Sequence, residues 1–501
     1  MHGRMYQRLA WSLALTVTCG LSTAGRGQQI ESFGPGYAGP QAQQVSTTME
    51  AAPGGDVAAR LADVENQLKD MKDKEAAAKK KAQGAPTAVV GGMIQMDWAT
   101  FNQDPVSKSQ FGDVQNGFEF RRARIKVAGE GFGIMDYQIE MDFAQLLSGT
   151  GITYGKTATP TFVAYQDQVS FKDCFIGIHE LPLIGNVKVG HFKEPFGLEQ
   201  LTSDRYITFM ERSMADEGAL VPGRQNGVMA YGWTEAEYAT YALGVFRTND
   251  QAPPDYIIQG DKGNTSVTGR VTWLPWYDEC TEGRGLLHVG MAGSYRDMGT
   301  QPDGILGLNT FSMSARPEAH LAPKVDSLSS LTNVVDYKLL GLEMAYVYGP
   351  FSVQTEYMRA QLDIAANPKD GFLNGGYAYV SYFLTGENRV YNKKAGCFDR
   401  VRPYENFFRV RDEDCNIQTG LGAWEVGYRY SWLDLNDFTV GLKGGIATDH
   451  TFGLNWYLNP NMRIMWNYVH SIDVPQSGVI AGTAGKPSWL DTVEMRCAID
   501  F

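Results

Sequence analysis

The sequence has few cysteines and no long apolar run after its first residues, and each shortage excludes a class of protein. Only six cysteines occur in 501 residues, and none shows the close spacing of a metal site. After residue 24, no stretch approaches the roughly 18 uninterrupted apolar residues that a membrane helix needs. Membrane residence would therefore require a β-barrel, in which every backbone group is satisfied between strands.

Catalytic and nucleotide motifs are also missing. The seven histidines lie outside G-x-S-x-G and H-E-x-x-H, and His179-Glu180 lacks the second histidine. The stretch "GPGYAG" matches a dinucleotide fingerprint, but no strand precedes it and no helix follows it. We therefore expect no catalytic residue, no metal site and no cofactor, and the net charge of −12 predicts no nucleic-acid partner.

The first 24 residues have the layout of a cleavable signal peptide, with Arg4 and Arg8 before an apolar stretch and small residues at its end. We expect the protein to be exported. A lipid anchor at Cys19 is the weaker interpretation, because Val17 and Thr18 are not the small residues such a site prefers. In an oxidising compartment Cys397 and Cys415 could pair, or both could remain free thiols.

Two further segments precede the main part of the chain. Residues 25–54 are rich in Gln, Gly, Ser, Thr and Pro and are predicted to be a flexible leader. In residues 55–83 a heptad-like apolar pattern predicts a short coiled coil, with a single amphipathic helix as the alternative. The apolar positions are Val57, Leu61, Val64, Leu68 and Met71.

Residues 84–501 change to a period of two, which predicts an all-β domain. Between Phe120 and Phe143, for example, Arg122, Arg124 and Lys126 alternate with Ala123, Ile125 and Val127. Counting such segments gives about 16 strands, which indicates an antiparallel transmembrane β-barrel with a polar lumen and a lipid-facing apolar surface.

Connector lengths support a barrel independently of the strands. Short links such as 348–351 and 458–462 alternate with long ones near 102–116, 145–167, 193–224, 297–336 and 471–489. Short turns inside and long loops outside are typical of outer-membrane barrels. The long connector at 387–420 is an exception, because its parity places it on the periplasmic side.

The last strand carries a targeting feature. Val493, Met495, Cys497 and Ile499 share one face with the terminal Phe501. A terminal aromatic residue on a lipid-facing strand is expected to be the signal that the barrel-assembly machinery recognises. That machinery and outer-membrane lipid are therefore predicted partners.

Five long stretches resemble the phosphate-selective porin O and P family in order and spacing: "FRRARIKVAGE", "VKVGHFKEPFGLEQLTSDRYITFMERS", "YVSYFLTGE", "GAWEVGYRYSWLDL" and "LNWYLNPNMRIMWNYVH". The resemblance covers about residues 87–501. It implies a sixteen-stranded homotrimeric outer-membrane barrel, a preceding coiled-coil segment, and inward loops and arginine rows that guide small anions. It does not fix which ion passes.

The resemblance and the positions of the basic residues together predict a luminal anion path. Arginine holds phosphate-like oxygens with two parallel hydrogen bonds, and passage requires that each site release its ion to the next. An alternative is that the luminal cations are neutralised by Asp136, Glu140 and Asp142. The predicted path consists of Arg122, Arg124, Lys126, Lys193, Arg205, Arg212, Arg224, Arg400 and Arg402.

The resulting prediction is an outer-membrane porin whose water-filled channel passes small anions, with phosphate and polyphosphate as candidates. Two other functions remain open from the sequence. The first is a general non-selective porin. The second is a scaffold barrel tethered to the cell wall through its coiled coil. A soluble β-sandwich is disfavoured by the number of strands with strongly apolar outward faces.

Overall fold

The computed structural model describes residues 86–147, 151–154, 160–163, 169–217, 220–248, 265–298, 311–324, 327–331, 333–365, 367–408, 410–411, 417–476 and 485–501. The predicted signal peptide, leader and coiled coil lie outside these residues, as does Cys415. The proposed pairing of Cys397 with Cys415 therefore stays a prediction. No helix in the described ranges is long and apolar enough to cross a membrane.

Sixteen antiparallel strands close into one barrel, as the sequence predicted. Each strand pairs with its neighbours in chain order, and the last strand pairs with the first. The strands are β1 (Val89–Gln103), β2 (Gly117–Gly131), β3 (Met135–Asp142), β4 (Ser170–Leu181), β5 (Gly185–Lys193), β6 (Arg224–Trp233), β7 (Ala239–Arg247), β8 (Thr265–Tyr277), β9 (Gly285–Asp297), β10 (Val334–Tyr348), β11 (Phe351–Ile364), β12 (Gly371–Phe383), β13 (Ala423–Asp437), β14 (Leu442–Asn459), β15 (Met462–Val474) and β16 (Ser488–Asp500).

Short elements lie in the connectors. Three helices are α1 (Pro105–Phe111), α2 (Ala144–Leu147) and α3 (Leu198–Leu201), and a 3-10 turn spans Glu279–Thr281. Four two-stranded ribbons pair Gly151–Tyr154 with Pro160–Val163, Phe311–Ser314 with Ser327–Leu331, Val390–Asn392 with Cys397–Asp399, and Val410–Arg411 with Ile417–Gln418.

Side chains alternate between the lumen and the outer surface as the period of two predicts. Ile125 and Ile139 point outward and are 44% and 43% exposed. Arg122 and Arg124 point into the lumen and are buried. Trp273 also lies on the outer face, where aromatic side chains form the interfacial girdles of membrane barrels. Apolar side chains therefore cover the barrel exterior.

One irregularity changes which side chains enter the lumen. In the pairing of β1 with β2, Gln95 faces Arg122 and Met96 faces Phe120, so Arg121 is an extra residue in β2. A β-bulge of this kind redirects a side chain. Arg121 consequently points inward beside Arg122 instead of outward.

The barrel closes around the chain terminus. The Phe501 N–H donates to the Gly92 carbonyl at 3.1 Å, and the Gly92 N–H donates to the Phe501 carbonyl at 2.8 Å. A Cβ at Gly92 would lie 2.6 Å from the Phe501 ring, so only glycine fits there. Phe501 itself is 63% exposed on the outer face; its role in assembly stays a prediction.

Long loops and short turns are segregated to opposite ends of the barrel. The turns 349–350 and 460–461 lie at one end, and the connectors 194–223 and 298–333 begin at the other. The long connector 384–422 starts at the short-turn end, as predicted, and inserts Phe398 and Val401 among buried residues. Segments from both ends therefore enter the barrel.

Candidate functional site in the loop-filled lumen

The third loop (residues 194–223) lies inside the barrel. The loop leaves β5 at Glu194. Gly197, which directly precedes the short helix α3, adopts a positive φ of 74°. Glu356 of β11 accepts hydrogen bonds from the Leu198 and Glu199 N–H groups at 2.8 and 2.7 Å. Amides in the first turn of a helix have no intrahelical partner, so this wall carboxylate anchors the start of the loop.

An apolar core fills one side of the lumen, where the sequence predicted water. Phe209 and Met214 of the third loop are fully buried against Tyr377 and Leu433 of the wall. Phe311, in the fifth loop (residues 298–333), belongs to the same core. Close packing of this kind excludes water. The described parts of both loops are thus structural parts of the barrel interior.

Three predicted arginines converge on one loop carboxylate, Asp204. Arg124 Nη1 and Arg212 Nη2 lie 2.8 and 2.6 Å from its oxygens, and Arg122 Nε lies at 3.2 Å. Burial raises the pKa of Asp204, but the three guanidinium groups outweigh burial and hold the pKa well below its ordinary value. Arg124 also pairs with Asp142 at 2.8 Å, which is one of the pairings considered from the sequence.

A second carboxylate of the third loop, Glu211, binds two arginines that the sequence analysis missed. Arg121 forms two hydrogen bonds to it at 2.8 and 2.9 Å, and Arg496 lies at 2.5 Å. Arg496 also pairs with Asp97 at 2.6 Å. Arg496 occupies an inward-facing position in the alternation of β16, so the sequence could have identified it. Arg121 faces inward only because of the bulge.

Arg429 of β13 connects two loops. It is fully buried and lies 3.0 Å from Glu199 of the third loop, and its Nε donates to Glu318 of the fifth loop at 2.8 Å. The Glu318 N–H in turn donates to Asp449 of β14 at 2.9 Å. A single wall arginine therefore holds both loops in place.

Described residues of the inner connector (residues 384–422), among them Tyr391 and Phe398, are buried in the lumen at the short-turn end. Tyr391 Oη lies 2.7 Å from His288 Nδ1, and Arg270 Nη2 donates to the Gly396 carbonyl at 2.8 Å. Burial raises the pKa of the Cys397 thiol to about 11. Of its two predicted site residues, Arg400 forms an ion pair with Asp500, and Arg402 is exposed.

The four remaining predicted cations differ in their surroundings. Lys193 Nζ donates to the Gln200 and Thr202 carbonyls of the third loop. Arg205 lies 3.4 Å from Glu140, and Arg224 lies 2.9 Å from Asp173. Lys126 is half-buried. The structure therefore does not bring the nine predicted cations together into one continuous row.

Exposure divides the lumen into two walls. On β8–β16 and β1, most inward-facing side chains are buried beneath the loops; we call this the packed wall. On β3–β7 and the adjoining end of β2, several inward-facing side chains remain partly exposed, although Phe192, Met229 and Phe246 form a buried apolar cluster there; we call this the open wall. Its cations are Lys126, Lys172 and Lys188, and its other partly exposed residues include Asp136, Gln138, Asp173, His179, Tyr231 and Trp233.

The open wall carries charges of both signs, and two of its lysines have no close carboxylate partner in the described ranges. Asp136 lies 3.0 Å from His179 and Asp173 lies 2.9 Å from Arg224, while Glu140 and Asp142 of β3 are buried. Lys172 is 3.9 Å from Asp142, and Lys188 sits 4.0 Å above the Phe175 ring. Within the described ranges, neither Lys126 nor Lys188 forms an ion pair.

A closed sixteen-stranded barrel with an apolar exterior, a loop-narrowed lumen and segregated long and short connectors defines an outer-membrane porin. A family model described as phosphate-selective porin O and P matches residues 89–473. The chain belongs to this family, as the motifs in the sequence predicted.

Two curated relatives show the extent of the similarity. Porin O of Pseudomonas aeruginosa is 29% identical over 401 residues, which cover 76% of this chain and 82% of that protein. An uncharacterized protein of Caulobacter vibrioides is 26% identical over 360 residues, which cover 70% of this chain and 62% of that protein.

Solved porin structures are more distant in sequence. OmpT of Vibrio cholerae, described as a trimer form, is 10% identical, with a TM-score of 0.46 over 83% of this chain and 100% of that one. OmpF of Salmonella typhi in complex with daunomycin is also 10% identical, with a TM-score of 0.42 over 83% of this chain and 97% of that one.

Proposed function

We propose that this porin conducts small anions along its open wall. The observation that carries the proposal is the pattern of pairing among the luminal cations. Arg122, Arg124 and Arg212 are buried and bound to carboxylates, whereas Lys126 and Lys188 are partly exposed and form no ion pair in the described part of the chain. Unneutralised cations beside water attract anions.

The two groups of cations then have different tasks. The buried arginines hold the third loop in place through ion pairs and hydrogen bonds. Among the predicted path residues, Lys126, Arg205 and Arg224 border the open wall, and we include Lys172 and Lys188 with them. Lysine presents a mobile point charge rather than a rigid fork, which suits weak sites that release an ion to the next one.

We propose phosphate as a solute that binds in this path. The name of the family and the similarity to Porin O support this choice. An oxyanion with several oxygens can contact more than one lysine at a time, so phosphate should interrupt the chloride current while it occupies the path.

We also propose that the porin is a homotrimer whose barrels each contain a complete channel. The apolar heptad pattern from Val57 to Met71 supports an oligomerising segment before the barrel. A cleaved signal peptide of residues 1–24 and delivery by the barrel-assembly machinery belong to the same proposal.

Planar-bilayer recordings test the selectivity. Purified protein is placed in a KCl gradient, the reversal potential is measured, and phosphate is then added. We expect an anion-selective reversal potential and a phosphate block. A triple variant with Lys126→Gln, Lys172→Gln and Lys188→Gln should lose most of both effects while still conducting.

Lys338→Gln is the matched control, because Lys338 is an exposed lysine on the outer face of β10. It should leave the reversal potential unchanged. A cation-selective or neutral wild-type channel would refute anion selectivity and indicate a general porin. A folded barrel without conductance would favour the scaffold function instead.

A further inference from the structure

Two basic side chains lie close together on the outer face of β10 and β11. The chain neighbours of Lys338 and of Arg359 belong to the apolar core of the lumen, so both basic residues point outward. The register pairs Lys338 with Gln361, and Arg359 with Leu340. The two cations are therefore diagonal neighbours, with Cα atoms about 7–8 Å apart. Both lie in the half of their strand nearer the long-loop end. We call these two residues the basic pair.

The guanidinium of Arg359 leans toward the long-loop end of the barrel. Its central carbon lies 4.2 Å from the centroid of the Phe372 ring. Phe372 pairs with Gln361, which in turn pairs with Lys338, so the guanidinium approaches the level of that lysine. A planar guanidinium that stacks on a ring still presents its N–H donors at its edge. The two positive charges can therefore contact one anion.

Neither cation has a carboxylate partner within the described ranges, where neither side chain forms an ion pair or a hydrogen bond. Three aspartates lie on the long-loop side of the basic pair. Asp336 accepts a hydrogen bond from the Tyr295 hydroxyl at 3.1 Å, and Asp370 accepts one from the Gln361 amide at 2.5 Å. Asp363 lies opposite Asp336, one step further toward the long loops than Gln361. The donors of the basic pair thus remain available to a ligand.

Unpaired cations are costly on this surface. Leu340 and Leu342, on the same face of β10, are 39% and 44% exposed, as expected for a surface that faces acyl chains. Lysine and arginine on the lipid face destabilise a barrel increasingly toward the bilayer midplane. Long basic side chains reduce this cost by reaching the headgroup region. The acceptor that they meet there is phosphate, which a guanidinium contacts with two parallel hydrogen bonds.

We infer that the basic pair binds the phosphate of an outer-leaflet lipid, specifically a glycolipid that carries phosphate groups. Arg359 donates two hydrogen bonds to the phosphate, and Lys338 neutralises its remaining charge. Charge complementarity favours an anion, and the site is continuous with the apolar barrel exterior that contacts acyl chains. A phosphorylated lipid presents both chemistries in one molecule, whereas free phosphate presents only one. The inference goes beyond anion conduction, because both side chains lie outside the lumen.

Lipid titration of the full-length protein tests the site. Protein purified in a mild detergent and stripped of lipid is titrated with diphosphoryl lipid A, and bound lipid is measured by native mass spectrometry. The wild type should bind this glycolipid at least about tenfold more tightly than the same glycolipid without its phosphates. Inorganic phosphate at the same concentration should not displace the lipid, which distinguishes a lipid headgroup from the free ion.

Substitutions then locate the binding. Lys338→Gln combined with Arg359→Gln should abolish the preference for the phosphorylated glycolipid. Arg359→Lys should retain part of it, because lysine keeps the charge but lacks the planar fork. The matched control is Lys108→Gln combined with Lys394→Gln, which removes two exposed connector lysines that already form ion pairs. The control should keep the full preference. Heat-modifiable gel mobility confirms that each variant is folded.

A photoreactive residue in place of Leu340 gives a readout in intact cells, where it should capture lipid. Three results would overturn the inference: equal affinity of the wild type for both forms of the glycolipid, an unchanged preference in the folded double variant, or capture of a second copy of this chain at position 340. Bilayer recordings keep these outcomes separate from the proposed function. The double variant should retain the wild-type reversal potential, because the lumen is unchanged.

Discussion

Basic side chains have different roles on the packed wall and on the open wall of the lumen. On the packed wall, Arg429 and Arg496 are fully buried and bound to carboxylates of the third and fifth loops or of neighbouring strands. On the open wall, Lys126 and Lys188 remain partly exposed. The arginines and the lysines differ in burial and in pairing. A buried charge must be compensated by an opposite charge, whereas a solvent-exposed charge still attracts ions from solution. An inward cation is therefore not by itself evidence of an ion path.

The largest effect should follow removal of Arg429. In Arg429→Leu, Glu199 and Glu318 lose their shared buried partner, so unfolding free energy should fall by about 4–5 kcal/mol. Release of both loops should also enlarge the single-channel conductance. Denaturant unfolding and bilayer recordings measure the two effects. Lys172→Gln on the open wall is the control and should alter stability little.

The apolar core between the third loop and the packed wall gives the next largest effect. Phe209 is fully buried and meets the Tyr379 ring at 5.4 Å between centroids, so Phe209→Ala should cost about 3 kcal/mol of unfolding free energy. Phe175→Ala is chemically matched, but Phe175 is only half-buried on the open wall, so this variant should lose less unfolding free energy than Phe209→Ala. Equal losses in the two variants would contradict the division into two walls.

Substitution of Asp216 in the third loop should have a smaller effect, and it should increase the unfolding free energy instead of lowering it. Asp216 is fully buried, and neither carboxylate oxygen has a hydrogen-bond partner among the described residues. Burial, together with Glu199 and Glu356, raises its pKa well above 3.8, although Arg212 acts against the shift. A raised folded-state pKa means that Asp216 favours folding at low pH, and that this contribution is lost as pH rises through the folded-state pKa.

Asp216→Asn should therefore stabilise the barrel at neutral pH by about 1–2 kcal/mol. The gain should shrink toward about pH 4, where the unfolded chain also holds the proton. Denaturant midpoints at both pH values measure this. Asp173→Asn on the open wall is the comparison variant, and it should destabilise because it weakens the pair with Arg224. A loss of stability in Asp216→Asn at neutral pH would contradict the prediction.

The smallest stability effect should accompany Lys188→Gln, which should change unfolding free energy by no more than about 0.5 kcal/mol. The same variant should shift the reversal potential toward neutrality, because one unneutralised cation is removed from the open wall. Arg496→Gln should behave in the opposite way, with a large loss of stability and little direct change in selectivity. Together the two variants separate permeation from structural roles.

Local patterning predicted most of the barrel. The alternation of Arg122 and Arg124 with Ile125 and Val127 placed each side chain on the correct face, because a strand has a period of two. Connector lengths also assigned the loops to the correct ends. The extra residue at Arg121 was missed, because a bulge depends on the register with β1 and leaves no mark in the alternation.

The candidate site was less predictable. The third loop carries Asp204 and Glu211 together with Arg205 and Arg212, and composition alone cannot tell whether its acids face solvent or wall arginines. Lys188 was missed because it lies on a short strand away from the obvious basic cluster. Its exposure depends on where the loops pack, which is a long-range property.

The sequence by itself determined the barrel, its strand number, its family and the inward direction of Arg122, Arg124 and Lys126, because these follow from long motifs, a two-residue period and local turn lengths. Only the tertiary structure decided which cations are neutralised. Asp204, Glu211 and Glu318 reach their arginines across contacts between residues about 80 to 300 positions apart in the chain. Packing of the loops against one wall then leaves the other wall facing water.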